Sequence, residues 1–420
     1  MRYNMIELIE KQRHGEKLEK DEIKYIIDGY TYDEIPGYQM SAYLMAVCFT
    51  GLDDELTAYM TECMAKSGDM LDLSQVDGVV ADKHSTGGVG DKTTLAVVPI
   101  VAACGGKVAK MSGRGLGFTG GTIDKLEAIK GFNTNISFDR FIENINTVGA
   151  AIIGQMQNLT PADKKIYALR DVTGTVDCLP LIASSVMSKK LASGAESIVL
   201  DVKHGSGAFM KNSKDARRLA ELMTKIGESA GRRVKAVITS MDEPLGEAVG
   251  NSLEVVEAVN TLKNKGPKDF YKLCIELSAS MLELSLGLSY DECAALAEQS
   301  VKSGAALEKL AAIVSSQDGD AEYILNTENF EKAACIVTVK ANRSGTIKSM
   351  NTEKIGMVSC MLGAGRETLD SRINPSAGLI IKKKTDDKVA CGDVLAYLHT
   401  DDAGCIPKAE TEYLNSINII

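Results

Sequence analysis

From Val79 to about Met241, short β-branched runs alternate with helix-like segments: Val79 to Ala81, Lys107 to Met111, Ala150 to Ile153, Ile198 to Val202 and Val234 to Thr239. Parallel neighbours need a crossover of a dozen or more residues, usually a helix, so this alternation restricts the region to a mostly parallel sheet flanked by helices. Two strand-to-helix junctions are glycine-rich, Ser85 to Asp91 and Ser112 to Thr122. A helix N-terminus carries unpaired N–H groups and partial positive charge, and glycine allows close approach, so such a junction suits an anion. Lys83, Ser85, Thr93 and Thr94 flank the first loop; Lys110, Ser112, Arg114, Thr119 and Thr122 flank the second. Their hydroxyl and ammonium groups can donate to phosphate oxygens, with no competing acceptors expected nearby. Two such loops suggest one anion held from both sides. Neither loop is GxxxxGK[ST] or a dinucleotide GxGxxG, the GxG at Gly115 and Gly117 is weak, and either loop alone also reads as a tight turn.

Before this region the pattern is helical. Ile6, Leu8 and Ile9 precede a stop at Gly15; Ile23, Ile26 and Ile27 follow Asp21 as the expected N-cap; Leu44, Met45, Val47 and Cys48, then Leu56, Tyr59, Met60 and Met64, continue at helical spacing. These stripes read as core or subunit interface. After Glu331 the runs CIVTVKA and GLIIKKK are strand-like, which suggests a separate C-terminal region rich in antiparallel strands. A chain of 420 residues fits two or three domains. A net charge of −10 argues against nucleic-acid or membrane-surface binding, so a phosphate site must be a local positive pocket. The ten cysteines show no CxxC pair or zinc spacing and are expected to be reduced and mostly buried. There is neither a signal-peptide core nor an apolar run of membrane-spanning length, and cytoplasm is the expected compartment.

Three further positions bear on chemistry. His84, one of four histidines, stands beside the first loop, where its titration near neutrality suits proton donation, although a histidine there could equally cap a helix. Ser185 and Lys189 lie four positions apart in helical sequence and share a face, with Arg170 upstream. Taken in isolation, these three read as a solvated helix surface.

The runs DKHSTGGVGD and SGRGLGFTGGTIDKLE closely resemble the thymidine and pyrimidine-nucleoside phosphorylases. The resemblance continues through RDVTGTVDCLPLIASSVMSKKLASG, DVKHGSGAFM and EPLGEAVGNSLEVVEA and covers nearly the whole chain. Phe118 departs from the histidine of many members. The resemblance implies a small all-helical domain, a larger α/β domain with a mixed, mostly parallel sheet, a C-terminal α+β region and an active-site cleft between the domains. The corresponding spans are 1–70 and 161–194 for the helical domain, 71–160 and 195–331 for the α/β domain, and 332–420 for the C-terminal region. It implies phosphate binding by Lys83, His84, Ser85, Thr94, Lys110, Met111, Ser112 and Thr122. Base binding falls to His84, Arg170, Ser185 and Lys189, fixed cations stabilising the negative charge that develops on the departing pyrimidine. The expected reaction is attack of bound phosphate on C1′, giving free base and pentose 1-phosphate. Lys110, next to Met111, matches members that accept uridine as well as thymidine, because an ammonium there can donate to a 2′-hydroxyl; it could instead serve only the phosphate. A potassium site is implied at Gly90, Lys92, Leu245, Ala248 and Glu257, though Lys92 replaces a common threonine and its ammonium would oppose a cation unless turned away. A homodimer through the N-terminal helices is implied too. Alternatives are a thymidine-restricted phosphorylase, an enzyme resembling anthranilate phosphoribosyltransferase, for which no strong aspartate pair near either loop is evident, and a non-enzymatic nucleoside-binding protein.

Overall fold

The computed structural model describes residues 3–115, 120–156, 158–366 and 372–420. Four helices come first: α1 (Met5–Arg13), α2 (Lys20–Thr31), α3 (Gly37–Thr50) and α4 (Asp54–Ala65). There follow β1 (Val80–Ser85), α5 (Thr93–Ala103), β2 (Lys107–Ser112), α6 (Thr122–Glu127), α7 (Phe138–Thr147), β3 (Ala150–Gly154), α8 (Pro161–Asp171) and α9 (Leu179–Ala192). Then come β4 (Ser197–His204), α10 (Ser213–Ser229), β5 (Arg233–Ser240), β6 (Ala248–Val249), α11 (Asn251–Leu262), α12 (Lys268–Leu286), α13 (Tyr290–Lys302), α14 (Ala305–Ser316) and α15 (Glu322–Leu325). The C-terminal part contains β7 (Cys335–Lys340), β8 (Gly345–Met350), α16 (Thr352–Met361), β9 (Gly378–Ile381), β10 (Lys388–Val389), β11 (Val394–Thr400), α17 (Ile406–Asn415) and β12 (Ile417–Ile419).

The chain divides into two compact units. The first comprises Met1–Gln75, Gln155–Ile198 and Arg217–Ala236; the second comprises Val76–Gly154, Val199–Ala216 and Val237–Ile420. In the first unit, the stripes of α2 to α4 are core: Ile23, Ile26, Ile27, Leu44, Val47, Leu56, Met60 and Met64 are buried together with Ala162 and Ile166 of α8 and Leu181 of α9. Ile6 is the exception and faces solvent. The cap of α2 is Glu19, not Asp21; its N–H donates to the Glu22 carboxylate at 2.7 Å, and Asp21 lies in the first turn, where an acid still favours the helix dipole.

The five-stranded sheet has the order β3-β2-β1-β4-β5, with β1–β2 and β2–β3 parallel. The expected strands are all present, and β1 runs four residues beyond its expected end, so Lys83, His84 and Ser85 belong to the strand. Helix α5, TTLAVVPIVAA, is apolar on every side; such a helix must be buried all round, and Thr93 through Ala102 are. It packs on α11, α12, α13 and α14.

The C-terminal strands are antiparallel, as expected. The two-residue β6 joins their sheet in the order β6-β9-β11-β7, with Ala248 opposite Ile380 and Val249 opposite Leu379. Val89 of the first glycine loop is buried in the same core, with Val249, Leu379 and Ile355. The loop is thereby fixed by apolar packing, not only by its turns. A second sheet of order β10-β8-β12 completes this part. The ten cysteines are unpaired, but only Cys178, Cys274 and Cys293 are buried and Cys391 is exposed, fewer buried than expected. Among the described residues, no helix is long and apolar enough to cross a membrane.

Candidate active site

The first glycine loop leaves β1 at Ser85, whose hydroxyl accepts from the Gly87 N–H at 3.2 Å. Gly87 and Gly90 take φ of +93° and +72°, the left-handed region that glycine adopts without strain. The Thr86 N–H donates to the Asp201 carbonyl at 3.0 Å, and the Lys203 N–H donates to the Thr86 hydroxyl at 2.9 Å, so β4 braces the loop. Helix α5 begins at Thr93; both its N–H and its hydroxyl donate to Asp91, and buried Thr94 follows in the first turn.

The expectation that these cations have no competing acceptors fails. Buried Lys83 donates to the Thr93 hydroxyl and lies 3.6 Å from the carboxylate of Asp201, while Lys203 is 2.9 Å from the same carboxylate. Burial disfavours a charged Asp91, but Lys83 and Lys203, with hydroxyl donors from Ser85 and Thr93, outweigh it and hold the carboxyl well below its ordinary range. Burial likewise works against a charged Lys203, and Asp201 and Asp91 reverse it, raising its pKa. Lys110 of β2 is buried, donating to the Met111 carbonyl at 2.9 Å and to Asp82 at 3.3 Å. Met111 is buried beside it, and His84, half-buried, follows Lys83 in β1.

In the second loop, Gly117, Phe118 and Thr119 lie outside the described residues. Ser112 ends β2 and Thr122 opens α6. Arg114 donates to Glu127, at 2.5 and 2.6 Å, and to Asp124 at 3.2 Å. Asp124 also accepts from the Gly115 N–H at 2.7 Å and from Arg366 at 2.8 Å. Lys125 joins the two loops: its ammonium donates to the Asp91 carbonyl and pairs with Glu254, each at 2.7 Å. The acids Asp82, Asp124 and Asp201 stand near the loops, each paired with lysine or arginine. Among the described residues, no group of three or more His, Cys, Asp or Glu is placed to hold a metal ion.

Arg170, Ser185 and Lys189, expected at the base, lie in the first unit and are not a solvated surface. Arg170 is buried in α8 and donates to the carbonyls of Thr175 at 3.1 Å, Val176 at 2.7 Å and Leu181 at 3.0 Å, tying down the turn that leads into α9. Burial lowers the pKa of its guanidinium. On α9, the ammonium of Lys189 donates to the Ser185 hydroxyl at 3.0 Å, as their spacing of four predicts, and pairs with Asp163. Asp163 was missed in the sequence because it sits in the first turn of α8, where an acid is ordinary helix chemistry. Its second carboxylate oxygen is buried and accepts no hydrogen bond.

Of the five residues expected to hold potassium, Leu245, Ala248 and Glu257 converge on the ammonium of Lys92, and Gly90 lies beside the two carbonyls. The Lys92 ammonium donates to the carbonyls of Leu245 at 2.6 Å and Ala248 at 3.1 Å and pairs with Glu257. It did not turn away. The donor set does not fit a metal ion while that ammonium occupies it.

Residues 77–307 match the glycosyl transferase family α/β domain, residues 6–68 the helical bundle domain of the same family, and residues 346–420 the pyrimidine nucleoside phosphorylase C-terminal domain. The pyrimidine-nucleoside phosphorylase of Geobacillus stearothermophilus is 49% identical over 398 residues, 94% of this chain and 92% of that protein. The enzyme of the same name from Staphylococcus epidermidis is 50% identical over the same shares. The crystal structure of anthranilate phosphoribosyltransferase from Thermus thermophilus covers 74% of this chain and 98% of its own, with a TM-score of 0.59 and 20% identity, a likeness of fold alone. On its length of match, its identity and its C-terminal domain, this chain belongs to the pyrimidine-nucleoside phosphorylase family.

Proposed function

We propose that the protein catalyses reversible phosphorolysis of uridine, thymidine and deoxyuridine to the free pyrimidine and ribose or deoxyribose 1-phosphate. The observation that carries this reading is near 50% identity across 94% of the chain to pyrimidine-nucleoside phosphorylases, in a sequence that has Lys83, His84, Ser85, Arg170, Ser185 and Lys189. Bound phosphate supplies the nucleophile. An oxygen of phosphate forms a bond to C1′ while the C1′–N1 bond breaks, and the bonding pair leaves on the pyrimidine. The transition state has oxocarbenium character in the sugar and negative charge in the base.

Backbone N–H groups of the first glycine loop and the start of α5, with Ser85, Thr94, Ser112, Thr122 and the Lys83 ammonium, bind the phosphate. Lys189 and Ser185 donate to the pyrimidine carbonyl region, where charge accumulates, and Asp163 keeps Lys189 in place. Arg170 contributes by fixing the turn before α9 and through the N–H donors its three carbonyl contacts leave over. His84 is the proton donor at the departing base. Lys110 donates to the 2′-hydroxyl of uridine by exchanging its contact with Asp82. Exposed Ile6, Tyr38 and Phe49 on α1 and α3 support a homodimer through these helices. The test is base release from uridine, thymidine and deoxyuridine with and without phosphate. Phosphate-dependent release from all three is expected; release from the deoxynucleosides alone would refute the role of Lys110, and release without phosphate would refute the mechanism.

A further inference from the structure

We propose that the Lys92 ammonium is a tethered monovalent cation, standing in for a bound potassium ion and making this protein independent of potassium. An ammonium and a potassium ion carry the same charge and are similar in size, and both prefer carbonyl and carboxylate oxygens. Lys92 meets those demands from within the chain: Leu245 and Ala248 carbonyls at 2.6 and 3.1 Å, the Glu257 carboxylate, and the face of Phe270, 5.1 Å from the ring centre. The residue is fully buried. Glu257 is held for this role, since its other carboxylate oxygen accepts from the N–H groups of Glu247 at 2.8 Å and Ala248 at 2.9 Å.

Glycine keeps the backbone tight about the one ammonium, and a second cation would sit against it. A Cβ at Gly90 would stand 2.7 Å from the Leu245 carbonyl oxygen and 3.2 Å from that of Ala248; one at Gly246 would stand 2.7 Å from the Lys92 ammonium. Like charges so close would also repel strongly in a dry site. Lys92 is the N-cap residue of α5, two positions before Thr94, and Ala248 belongs to β6 of the C-terminal sheet. The ammonium therefore clamps the start of the phosphate-facing helix to β6, α11 and α12, which makes Lys92 a positioning residue for the first glycine loop.

The test is a thermal melt of wild type, Lys92→Thr and Lys92→Met in potassium chloride against choline chloride at equal ionic strength, with base release measured alongside. Wild type should melt at the same temperature in both salts. Lys92→Thr removes the ammonium and opens the acceptor set, so it should melt lower in choline, recover several degrees with saturating potassium, and regain an activity loss of about 10- to 100-fold. Lys92→Met fills the space without charge and should stay destabilised in both salts. A wild-type melting temperature or turnover that rises with potassium over choline overturns the proposal, whether or not the variants fold. So does a folded Lys92→Thr that ignores potassium, or a Lys92→Met that gains as much from it. The melts need no turnover, so failure of the phosphorolysis reading would leave this test standing.

Discussion

Replacing Lys125 by methionine should unfold the protein more readily than its single lost ion pair suggests. Lys125 and Glu254 side chains are 1% and 2% exposed and 2.7 Å apart. Removing one partner leaves the other charge buried without compensation, which costs about 3–5 kcal/mol. The substitution also deletes the donor to the Asp91 carbonyl, worth about 1 kcal/mol more, for a total of about 4–6 kcal/mol. The cycle partner is Glu254→Gln, which keeps an acceptor for the Gly250 N–H, 3.2 Å from Oε1 in the wild type. Alone it should cost about 2–3 kcal/mol, less than the full penalty, because the Lys125 ammonium loses its counter-charge but keeps its bond to the Asp91 carbonyl. In the Lys125→Met background it should be neutral or stabilising, because it removes the stranded carboxylate, giving a coupling of about 2–3 kcal/mol. Equilibrium urea unfolding of the four proteins measures this, and the KM for phosphate should rise in Lys125→Met because the first loop loses its tie to α6. Equal costs for Glu254→Gln in both backgrounds would show that the pair is not the buried, mutually dependent contact the geometry describes.

Two further outcomes follow from the same geometry. Asp91 has a depressed pKa, so its stabilising contribution is complete above its ordinary value of 3.8 and disappears as pH falls below it. The stability gap between wild type and Asp91→Asn in urea unfolding should therefore hold from neutral pH down to mildly acidic conditions and close in strong acid; a gap that widens in acid would contradict the assignment. Ser185→Ala and Lys189→Met should each lower kcat/KM for nucleoside by about 10²–10³-fold while leaving the KM for phosphate unchanged, as steady-state assays with each substrate varied would show.

The sequence made the strand cores legible because β-branched runs have few other uses, and it hid the strand ends because they are polar. Val80 and Ala81 announce β1; Lys83, His84 and Ser85 extend it without any β-like signature. The cap at Glu19 was missed because aspartate caps more often than glutamate, and β6 because two residues cannot show a period. The Ser185–Lys189 contact was legible as a spacing of four on one helix. Partnerships between distant segments were not: Lys92 with Glu257 and Lys125 with Glu254 join residues brought together only by the tertiary fold. Arg170 shows the same limit from the other side. Its residue type argued for solvent, and only the turn it binds, through carbonyls of residues 175, 176 and 181, explains its burial.

A chain of net charge −10 was expected to bind phosphate through a local excess of cations, yet Lys83, Lys110 and Lys203 on β1, β2 and β4 are balanced. Lys83 and Lys203 share Asp201, and Lys110 faces Asp82. The balance has a physical reason: a buried ammonium with no counter-charge costs several kcal/mol, so a site that must stand ready before phosphate arrives needs acids in its place. Asp201 is the strongest case. It is fully buried, pairs with Lys203 at 2.9 Å, lies 3.6 Å from Lys83, and accepts from the Thr239 hydroxyl at 2.6 Å. Asp201→Asn keeps the shape and removes the charge, leaving two ammonium groups to Asp91. The phosphate-free protein should then lose about 3–5 kcal/mol, and phosphate should return a large part of it. Unfolding midpoints across a phosphate titration at constant ionic strength decide the matter. A larger phosphate-dependent rise in Asp201→Asn than in wild type is expected, because the ligand's charge replaces the missing carboxylate. An equal or smaller rise would mean that Asp201 supports the loop by its hydrogen bonds alone and holds no place for the anion.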